Sequence, residues 1–434
     1  SRSQPREGPS LELGERPTRI ELENFLDLQY FARISVGSPP QVITSILDTG
    51  SFELVVFERG CIGCGRAGVF SQRRSSSHRI GRLVTQLSYG SGQVSGDQAF
   101  DRVSLGALKP VEQGFWQIRR AEMPLLSHAK FQSILGVGPP ETPAADAWAQ
   151  AEQAVKVVAD FVRQDDKHIP RRMLSQIQGD LATALDVSNR STLLRTFNVK
   201  SFSICLGRRP GSNGYFIWND TLAQELPQAF ARLQVVGKHS WTVRLTDVRL
   251  SSATPGPDSL SPPLGCETGC GAVIDSGTSL LVAPGHAVEF LEEAVKMVNN
   301  DCDGLQDLPS LVLTIDGNQF VLPPDAYASR SWADKECRLQ SSATVSMAKS
   351  EQGPLWILGM PFLRRYYTTF FLGEGLKTRS LLVANSNGDC SPGVKRGFSL
   401  SASREKPYLR SIDPESVYVT PWAHKARTQA FVHV

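Results

Sequence analysis

Apolar and polar residues alternate along much of the chain, which predicts a protein built mainly from short β-strands. Residues 32–36 have an apolar side chain at every second position, and residues 241–250 alternate in the same way except at Asp247, which is the period of a strand with one buried face. Asp316 and Gly317 lie between two apolar runs, and this pair is typical of a tight hairpin turn. We therefore expect a mainly β fold.

One stretch has the period of a helix instead. Its apolar residues recur every three or four positions and are Trp148, Ala151, Val155, Val158 and Val162. We predict a helical insertion over about residues 144–185, in the first half of the chain. Its apolar stripe either packs on that half or forms a surface for a partner.

Two apolar runs end in an aspartate that is followed by hydroxyl and glycine residues. The two motifs are Ile46-Leu47-Asp48-Thr49-Gly50-Ser51 and Val273-Ile274-Asp275-Ser276-Gly277-Thr278-Ser279. Each predicts a buried strand that ends in a sharp loop, with its carboxyl group in a partly dry site. The hydroxyl groups can hydrogen-bond to the carboxylate, and the glycine lets backbone approach it closely.

Each motif has a second repeat further along the chain. Ile134-Leu135-Gly136 ends 88 residues after Asp48, and Ile357-Leu358-Gly359 ends 84 residues after Asp275. This is a long, diverged internal repeat. It predicts two similar lobes that each contribute one aspartate to a shared cleft.

With these paired motifs, the chain resembles the pepsin-like aspartic proteases, the eukaryotic bilobal type, over about residues 22–384. The resemblance implies two pseudo-symmetric β lobes, with the helical insertion in the first. It implies that Asp48 and Asp275 form a catalytic dyad holding one water. The residues implied to brace this dyad are Thr49, Gly50, Ser51, Ser276, Gly277 and Thr278. The insertion and the arginine- and alanine-rich loops suggest an apicomplexan member.

The resemblance also divides the chain into segments. Residues 1–21 are expected to be an N-terminal extension or a remnant of a pro-segment. Residues 22–215 form the first lobe and residues 216–390 the second. Residues 391–434 form a basic C-terminal tail, for which a pro-segment, an interaction tail and disorder all remain open.

A predicted hairpin over residues 83–105 has a glycine-rich tip. By resemblance this is the flap that closes over the substrate, with Tyr89, Gly90 and Ser91 at its tip. The family usually has a tryptophan seven residues after the first aspartate, which donates a hydrogen bond to the flap tyrosine. Here that position is Val55, which cannot donate.

Three apolar residues fall where the family lines its substrate subsites, and they are Phe131, Ile134 and Val273. They would favour bulky apolar substrate residues beside the scissile bond. The alternative is that they belong to the ordinary hydrophobic core.

The eight cysteines are even in number. Three pairs match places where the family carries disulfides, and these are Cys61 with Cys64, Cys266 with Cys270, and Cys302 with Cys337. Cys205 and Cys390 remain for a fourth. Disulfides imply an oxidising environment, so we expect a protein of the secretory pathway, secreted or in a vesicle or acidic organelle. A zinc site built from the closely spaced cysteines is the alternative.

Composition excludes several classes of function. The 434 residues are 41% hydrophobic and 21% charged, with a net charge of +3, so nothing indicates nucleic acid or membrane binding. We expect no transmembrane segment, no cofactor and no metal. Neither a His-Glu-x-x-His motif nor a Gly-x-Ser-x-Gly motif is present.

The function expected from the sequence is an aspartic endopeptidase. Two nearby carboxyl groups that share one proton can activate a water and protonate the leaving nitrogen. Protein or peptide substrates, statine-type inhibitors, a monomeric state and activity at acid pH follow from this interpretation. The alternative is a pepsin-fold peptide-binding protein that has lost catalysis.

Overall fold

The computed structural model describes most of the chain. The described residues are 17–89, 91–106, 108–140, 142–165, 169–188, 192–251, 260–296, 302–332, 335–343, 349–350, 352–393, 408–413, 417 and 430–433. Strands dominate among them, which confirms the predicted fold class. No helix among the described residues is long and apolar enough to cross a membrane.

The first lobe begins with eight strands in chain order. They are β1 (Thr18–Phe25), β2 (Gln29–Val36), β3 (Gln41–Asp48), β4 (Leu54–Ile62), β5 (Arg79–Tyr89), β6 (Gly92–Leu105), β7 (Val111–Glu122) and β8 (Ser133–Gly136). Three helices follow them, α1 (Thr142–Asp165), α2 (Arg171–Ser188) and α3 (Leu193–Thr196).

The second half of the described chain alternates strands with three short helices. The strands as far as the last helix are β9 (Ser201–Cys205), β10 (Gly214–Trp218), β11 (Ala231–Gln234), β12 (Thr242–Ser251), β13 (Cys270–Ile274), β14 (Leu281–Ala283), β15 (Ser310–Ile315), β16 (Asn318–Leu322), β17 (Ala328–Ser331), β18 (Cys337–Leu339), β19 (Ser341–Ala343), β20 (Lys349–Ser350) and β21 (Gly353–Leu358). The remaining strands are β22 (Tyr366–Phe371), β23 (Ser380–Asn385), β24 (Ser411–Ile412) and β25 (Ala430–His433). The helices are α4 (Leu222–Glu225), α5 (Gly285–Lys296) and α6 (Met360–Arg365).

A 14-stranded sheet joins the two lobes, in the order β11-β23-β22-β9-β10-β1-β2-β3-β8-β4-β7-β6-β5-β25. Strand β1 is the bridge, because it pairs with β10 through Thr18 to Leu22 and with β2 through Glu23 to Phe25. The second lobe has a separate sheet in the order β16-β15-β12-β13-β21-β14-β19. The chain is therefore bilobal, with strands from both halves of the chain in the joining layer.

The two lobes repeat one strand arrangement. In the first lobe, β3 runs parallel to β8, and β4 runs antiparallel to β8 on its other side. In the second lobe, β13 runs parallel to β21, and β14 runs antiparallel to β21. The central strand of each set carries one Ile-Leu-Gly sequence, so the internal repeat corresponds to a repeated structure.

An aromatic cluster fills the core beside the joining layer. Phe202 stacks on Phe370 with ring centroids 4.7 Å apart, and Trp241 meets Phe370 edge-on at 5.2 Å. The Trp241 indole N–H donates to the carbonyl of Val137 in the other lobe at 3.0 Å. Buried aromatic side chains of this size contribute strongly to core stability, so this cluster holds the lobes together.

The helical insertion consists of two helices, α1 and α2, rather than one continuous element. Ala151 and Val158 are buried, but Trp148, Val155 and Val162 are each about two-fifths exposed. These two sets are separate lines on α1, each with a spacing of seven residues. Only the line formed by Ala151 and Val158 therefore packs on the first lobe. The other line of the predicted apolar stripe remains partly exposed to solvent.

The predicted division into segments stays a prediction, and the strands can be compared with it at three places. Strand β1 begins at Thr18, so residues 18–21 belong to the joining sheet and not to an extension. The predicted boundary at residues 215 and 216 falls inside β10, whose residues Gly214 to Trp218 pair with β1. The tail is structured in part, because β24 pairs with β17 and β25 pairs with β5.

All eight cysteines form disulfides, in the pairs Cys61–Cys64, Cys205–Cys390, Cys266–Cys270 and Cys302–Cys337. Three of these pairs are those expected from the resemblance, and Cys205–Cys390 is the fourth pair that remained. The zinc alternative is wrong, because a disulfide sulfur is no longer the thiolate that zinc requires.

Candidate active site

Asp48 and Asp275 leave their sheets at equivalent crossings. Asp48 ends β3 opposite Gly136, and its carbonyl accepts from the Val137 N–H at 2.8 Å. Asp275 follows the last residue of β13, and its N–H donates to the carbonyl of Leu358 at 3.0 Å. The backbone of each aspartate is therefore hydrogen-bonded to the backbone at or next to the Ile-Leu-Gly sequence of its own lobe.

The glycines of the two Ile-Leu-Gly sequences are required by close backbone contact. A Cβ atom on Gly136 would lie 2.3 Å from the backbone nitrogen of Glu53. A Cβ atom on Gly359 would lie 2.2 Å from the carbonyl oxygen of Leu280. The loop after each aspartate thus crosses directly over a glycine, and a larger residue would push that loop away from its position.

Each carboxylate accepts the same pair of hydrogen bonds. Oδ1 of Asp48 accepts from the Gly50 N–H at 2.8 Å, and Oδ2 accepts from the Ser51 hydroxyl at 2.7 Å. Asp275 accepts from the Gly277 N–H at 2.8 Å and from the Thr278 hydroxyl at 2.7 Å. The local motif therefore fixes the orientation of each acid without help from the rest of the protein.

Thr49 and Ser276 form a reciprocal clasp between the lobes. The Thr49 N–H donates to the Ser276 hydroxyl at 3.1 Å, and the Ser276 N–H donates to the Thr49 hydroxyl at 2.9 Å. Each hydroxyl then donates across the interface, that of Thr49 to the Ile274 carbonyl at 2.9 Å and that of Ser276 to the Leu47 carbonyl at 2.7 Å. All four bonds are buried, and they lock the two aspartate loops together.

The two carboxyl groups are in contact and shielded from water. A Cβ atom on Gly50 would lie 2.9 Å from both carboxylate oxygens of Asp275, and neither aspartate has exposed surface. Burial raises the pKa of Asp48 well above its ordinary value, and the negative charge of Asp275 and a hydrogen bond between the carboxyl groups raise it further. The hydrogen bonds from Ser51 and Gly50 oppose this increase in pKa. The pair is thus arranged to hold a proton.

The predicted flap is a hairpin of β5 and β6. Tyr89 is the last residue of β5 and pairs with Gly92, so the turn consists of positions 90 and 91, of which Gly90 lies outside the described residues. Ser91 is partly exposed in this turn, and the Tyr89 side chain is almost completely buried. Burial raises the pKa of Tyr89, and the negative charges of Asp48 and Glu53 raise it further. The flap tyrosine therefore lies over the first aspartate.

A tryptophan that the sequence did not indicate lies beside the flap. Val55 on β4 is directly opposite Trp116 on the parallel strand β7, and both are completely buried. Trp116 and Val55 belong to the same apolar cluster as Tyr89. The indole expected at position 55 is absent, but another indole occupies the neighbouring strand. Val55 and Trp116 are far apart in the sequence, so no local pattern predicts that they are neighbours.

The three subsite candidates are part of the core in this conformation. Phe131, Ile134 and Val273 have at most 1% of their surface exposed. The Phe131 ring lies 6.1 Å from that of Phe57 and packs in the apolar cluster beneath the flap. Closely packed neighbours cover these side chains here, and their role as substrate subsites stays a prediction.

Two ties between the lobes were also missed. The Ser279 hydroxyl donates to the carbonyl of Leu28 at 2.5 Å, and the Trp241 indole donates to that of Val137. Glu53, whose charge acts on Tyr89, was likewise not singled out. Contacts between residues more than 100 positions apart have no periodic signal in a single sequence, so only the fold identifies them.

Comparisons with known proteins agree with this arrangement. A model of the eukaryotic aspartyl protease family matches residues 29–165 and 189–375. The chain is 28% identical to Pepsin F of Oryctolagus cuniculus over 80% of each chain. It is 27% identical to Pepsin A of Sus scrofa, over 82% of this chain and 81% of that protein. The chain therefore belongs to the eukaryotic aspartyl protease family.

Proposed function

We propose that this protein is an active aspartic endopeptidase in which Asp48 and Asp275 are the catalytic dyad. The observation that carries the proposal is the contact of two buried carboxyl groups from opposite lobes. Each is held by one backbone N–H and one hydroxyl, and the pKa of Asp48 is raised by burial and by Asp275. Such a pair binds a single proton over a wide range of pH.

The dyad would hydrolyse a peptide bond by general acid–base catalysis. The ionised carboxyl group takes a proton from a water molecule as the water oxygen attacks the scissile carbonyl carbon. The protonated carboxyl group donates to the carbonyl oxygen, which becomes a hydroxyl of the tetrahedral intermediate. The newly protonated carboxyl group then passes its proton to the leaving nitrogen. The other carboxylate takes a proton from a hydroxyl of the intermediate as the C=O bond re-forms and the carbon–nitrogen bond breaks, so one carboxyl group is left protonated. The pair titrates as a unit, so the proton belongs to both acids.

Tyr89 and the flap would control access to the dyad. Both aspartates lack exposed surface, so a peptide reaches them only after the β5–β6 hairpin moves outward. The hairpin tip is a turn of two residues, and closure over a bound peptide would exclude water. The apolar cluster beneath the flap, which includes Phe131 and Ile134, would face substrate side chains in the open form.

The alternative function is a peptide-binding protein of the same fold without catalysis. Val55 favours it, because the indole donor expected at that position would otherwise help to hold the flap tyrosine. Trp116 lies in the neighbouring strand and in the same cluster as Tyr89, which favours an intact flap instead.

A peptide-library cleavage assay between pH 3 and pH 8 tests the proposal, with a statine-type inhibitor to count binding sites. We expect cleavage by the wild type and a loss of at least about 100-fold in Asp48→Asn and in Asp275→Asn. Asp160→Asn on the exposed surface of α1 is the matched control and should cleave normally. Stoichiometric inhibitor binding without cleavage at any pH would contradict the proposed endopeptidase and would show that the protein binds peptides without catalysis.

The setting of this activity is also part of the proposal. Four disulfides are typical of proteins that fold in an oxidising compartment, which supports a place in the secretory pathway, either secreted or in an acidic organelle. We further propose protein or peptide substrates and a monomeric state. Each lobe supplies one aspartate, so a single chain completes the dyad.

A further inference from the structure

A small cavity lined by arginines lies where the C-terminal segment meets the body of the protein. The centre of a water-sized molecule can move through about 30 Å³ inside it, so it has room for at least one small molecule or ion. Its wall includes the four arginines Arg208, Arg364, Arg365 and Arg410, together with one acid, Asp325. No residue of the candidate dyad or of the flap contributes to this wall.

Two of these arginines are buried cations with a single buried carboxylate beside them. Arg364 is 4% exposed, Arg410 is 3% exposed and Asp27 is 5% exposed. Arg364 donates to the backbone carbonyl of Asp27 at 2.9 Å and hydrogen-bonds to the Tyr30 hydroxyl, and Arg410 Nε lies 3.9 Å from the Asp27 carboxylate. Asn24 and Gly211 already donate to that carboxylate at 2.8 and 3.0 Å. The two guanidinium groups are therefore incompletely compensated.

Both guanidinium groups also have an N–H atom without an acceptor. Arg364 Nη2 and Arg410 Nε are inaccessible to solvent and have no hydrogen-bond partner. A buried donor of a charged group is costly when it is left without an acceptor. The pKa of Arg410 is lowered to about 10, chiefly by burial and then by the positive charge of Arg364, and the charge of Asp27 opposes this decrease. The cavity thus combines excess positive charge with buried donors.

We propose that this cavity is a binding site for a small inorganic anion of the size of chloride. The anion would accept from Arg364 Nη2 and Arg410 Nε and would balance the two buried cations. Chloride is the simplest anion of this kind and is the probe used below. Asp325 reduces the positive potential, but its Oδ2 atom accepts from the Tyr408 N–H at 3.0 Å and four arginines remain around the site.

The bound anion would fasten the C-terminal segment to both lobes. Arg410 donates to the carbonyl of Arg208, and its own carbonyl accepts from the Arg330 N–H at 2.8 Å. The next residues, Ser411 and Ile412, continue the sheet as β24 beside β17. An anion held between Arg410 and Arg364 would add a contact between this segment and helix α6. The free energy of unfolding should therefore rise with the concentration of the anion and level off once the site is filled.

A neutral water molecule is the competing occupant, because it could accept from an arginine and donate to Oδ1 of Asp325, which has no partner. The two occupants differ in electron density and in their dependence on salt. A diffraction experiment on wild-type crystals soaked in bromide distinguishes them directly. We expect an anomalous peak within hydrogen-bond distance of Arg364 Nη2 and Arg410 Nε. Density without an anomalous signal would overturn the proposal.

Thermal unfolding of the full chain provides the second test. Chloride is titrated against gluconate at constant ionic strength and the midpoint temperature is measured. We expect a saturable increase of about 2 °C or more in the wild type. The increase should disappear in Arg410→Gln and persist in Arg338→Gln, a half-exposed arginine of the adjoining strand β18. A non-saturable increase, or the same increase in both variants, would overturn the proposal. Should Arg410→Gln not fold, the bromide experiment on the wild type decides.

Discussion

The lobe that carries Asp48 and the lobe that carries Asp275 are alike in the strands and loops that hold the two aspartates. They differ in the elements that surround these loops. In both, the carboxylate accepts an N–H at 2.8 Å and a hydroxyl at 2.7 Å, beside a glycine over which the chain crosses. Above Asp48 lie the β5–β6 hairpin and its buried tyrosine. Beyond Gly359, in contrast, the chain enters helix α6, against which the C-terminal segment packs. The shared part sets the geometry of the acids, and the different parts set access and charge.

Replacing the crossing glycines should have the largest effect, and it should be equal in the two lobes. Gly136→Ala places a Cβ atom 2.3 Å from backbone, and Gly359→Ala places one 2.2 Å from backbone, so the aspartate loop must shift in each case. We expect each variant to lose more than about 4 kcal/mol of unfolding free energy, measured by denaturant titration. Gly285→Ala is the control, because no atom lies within 4 Å of its Cβ position. A large loss in only one lobe would show that the repeat is not equivalent in structure.

The clasp between the lobes should have the next largest effect. Thr49→Val and Ser276→Ala each remove a hydroxyl that both accepts and donates a buried hydrogen bond. We expect a loss of about 1–3 kcal/mol for each variant in denaturant unfolding. The double variant should lose less than the sum, because both hydroxyls belong to one network.

Thr221→Val serves as the control for the clasp, because its hydroxyl bonds to an exposed glutamate. Its unfolding free energy should change by less than about 0.5 kcal/mol. Strict additivity of the two clasp variants would mean that each hydroxyl acts alone, and the reciprocal arrangement would then carry no extra stability.

The flap is present only in the lobe of Asp48, so replacing its tyrosine tests what this additional element contributes. Tyr89→Phe keeps the buried ring and removes the hydroxyl, whose pKa is raised by burial and by the charge of Asp48. We expect kcat/KM for a peptide substrate to fall by about 10–100-fold, with little change in unfolding free energy. Tyr215→Phe, a half-buried tyrosine of the same sheet whose ring contacts Arg19, is the control for folding. Unchanged kcat/KM would mean that the flap only covers the site.

The sequence predicted the shared parts of the lobes better than the parts that differ. The two Asp motifs and the Ile-Leu-Gly sequences are local strings, and a hydrogen bond from Gly50 to Asp48 spans only two positions, so the sequence pattern contains it. Asp316 and Gly317 have positive φ angles of 47° and 76°, as the predicted hairpin requires.

Contacts that join distant segments could not be predicted in this way. Trp116 lies opposite Val55 only because β7 and β4 are parallel neighbours, and Arg410 reaches Asp27 from almost the other end of the chain. Strand pairing and buried ion pairs between such positions depend on the folded topology. The role of the subsite candidates stays a prediction for a related reason, because an apolar residue near the end of a strand fits a core and a cleft equally well.

For a change of one pH unit, the smallest effect should come from the charge of the dyad on stability. The folded-state pKa of Asp48 is raised, so the unfolded chain releases this proton at a lower pH than the folded chain does. The contribution of Asp48 to the free energy of unfolding is therefore most favourable below its ordinary pKa and is lost as pH rises through the folded-state value.

The variant Asp48→Asn cannot ionise at this position, so it does not lose stability in this way as pH rises. Its unfolding free energy should rise relative to the wild type by at most about 1.4 kcal/mol for each pH unit above pH 4. Denaturant unfolding between pH 4 and pH 7 measures the difference, and Asp160→Asn should show none. A difference that shrinks with pH would mean that Asp48 is stabilised in its ionised form, which would place the shared proton on the other lobe.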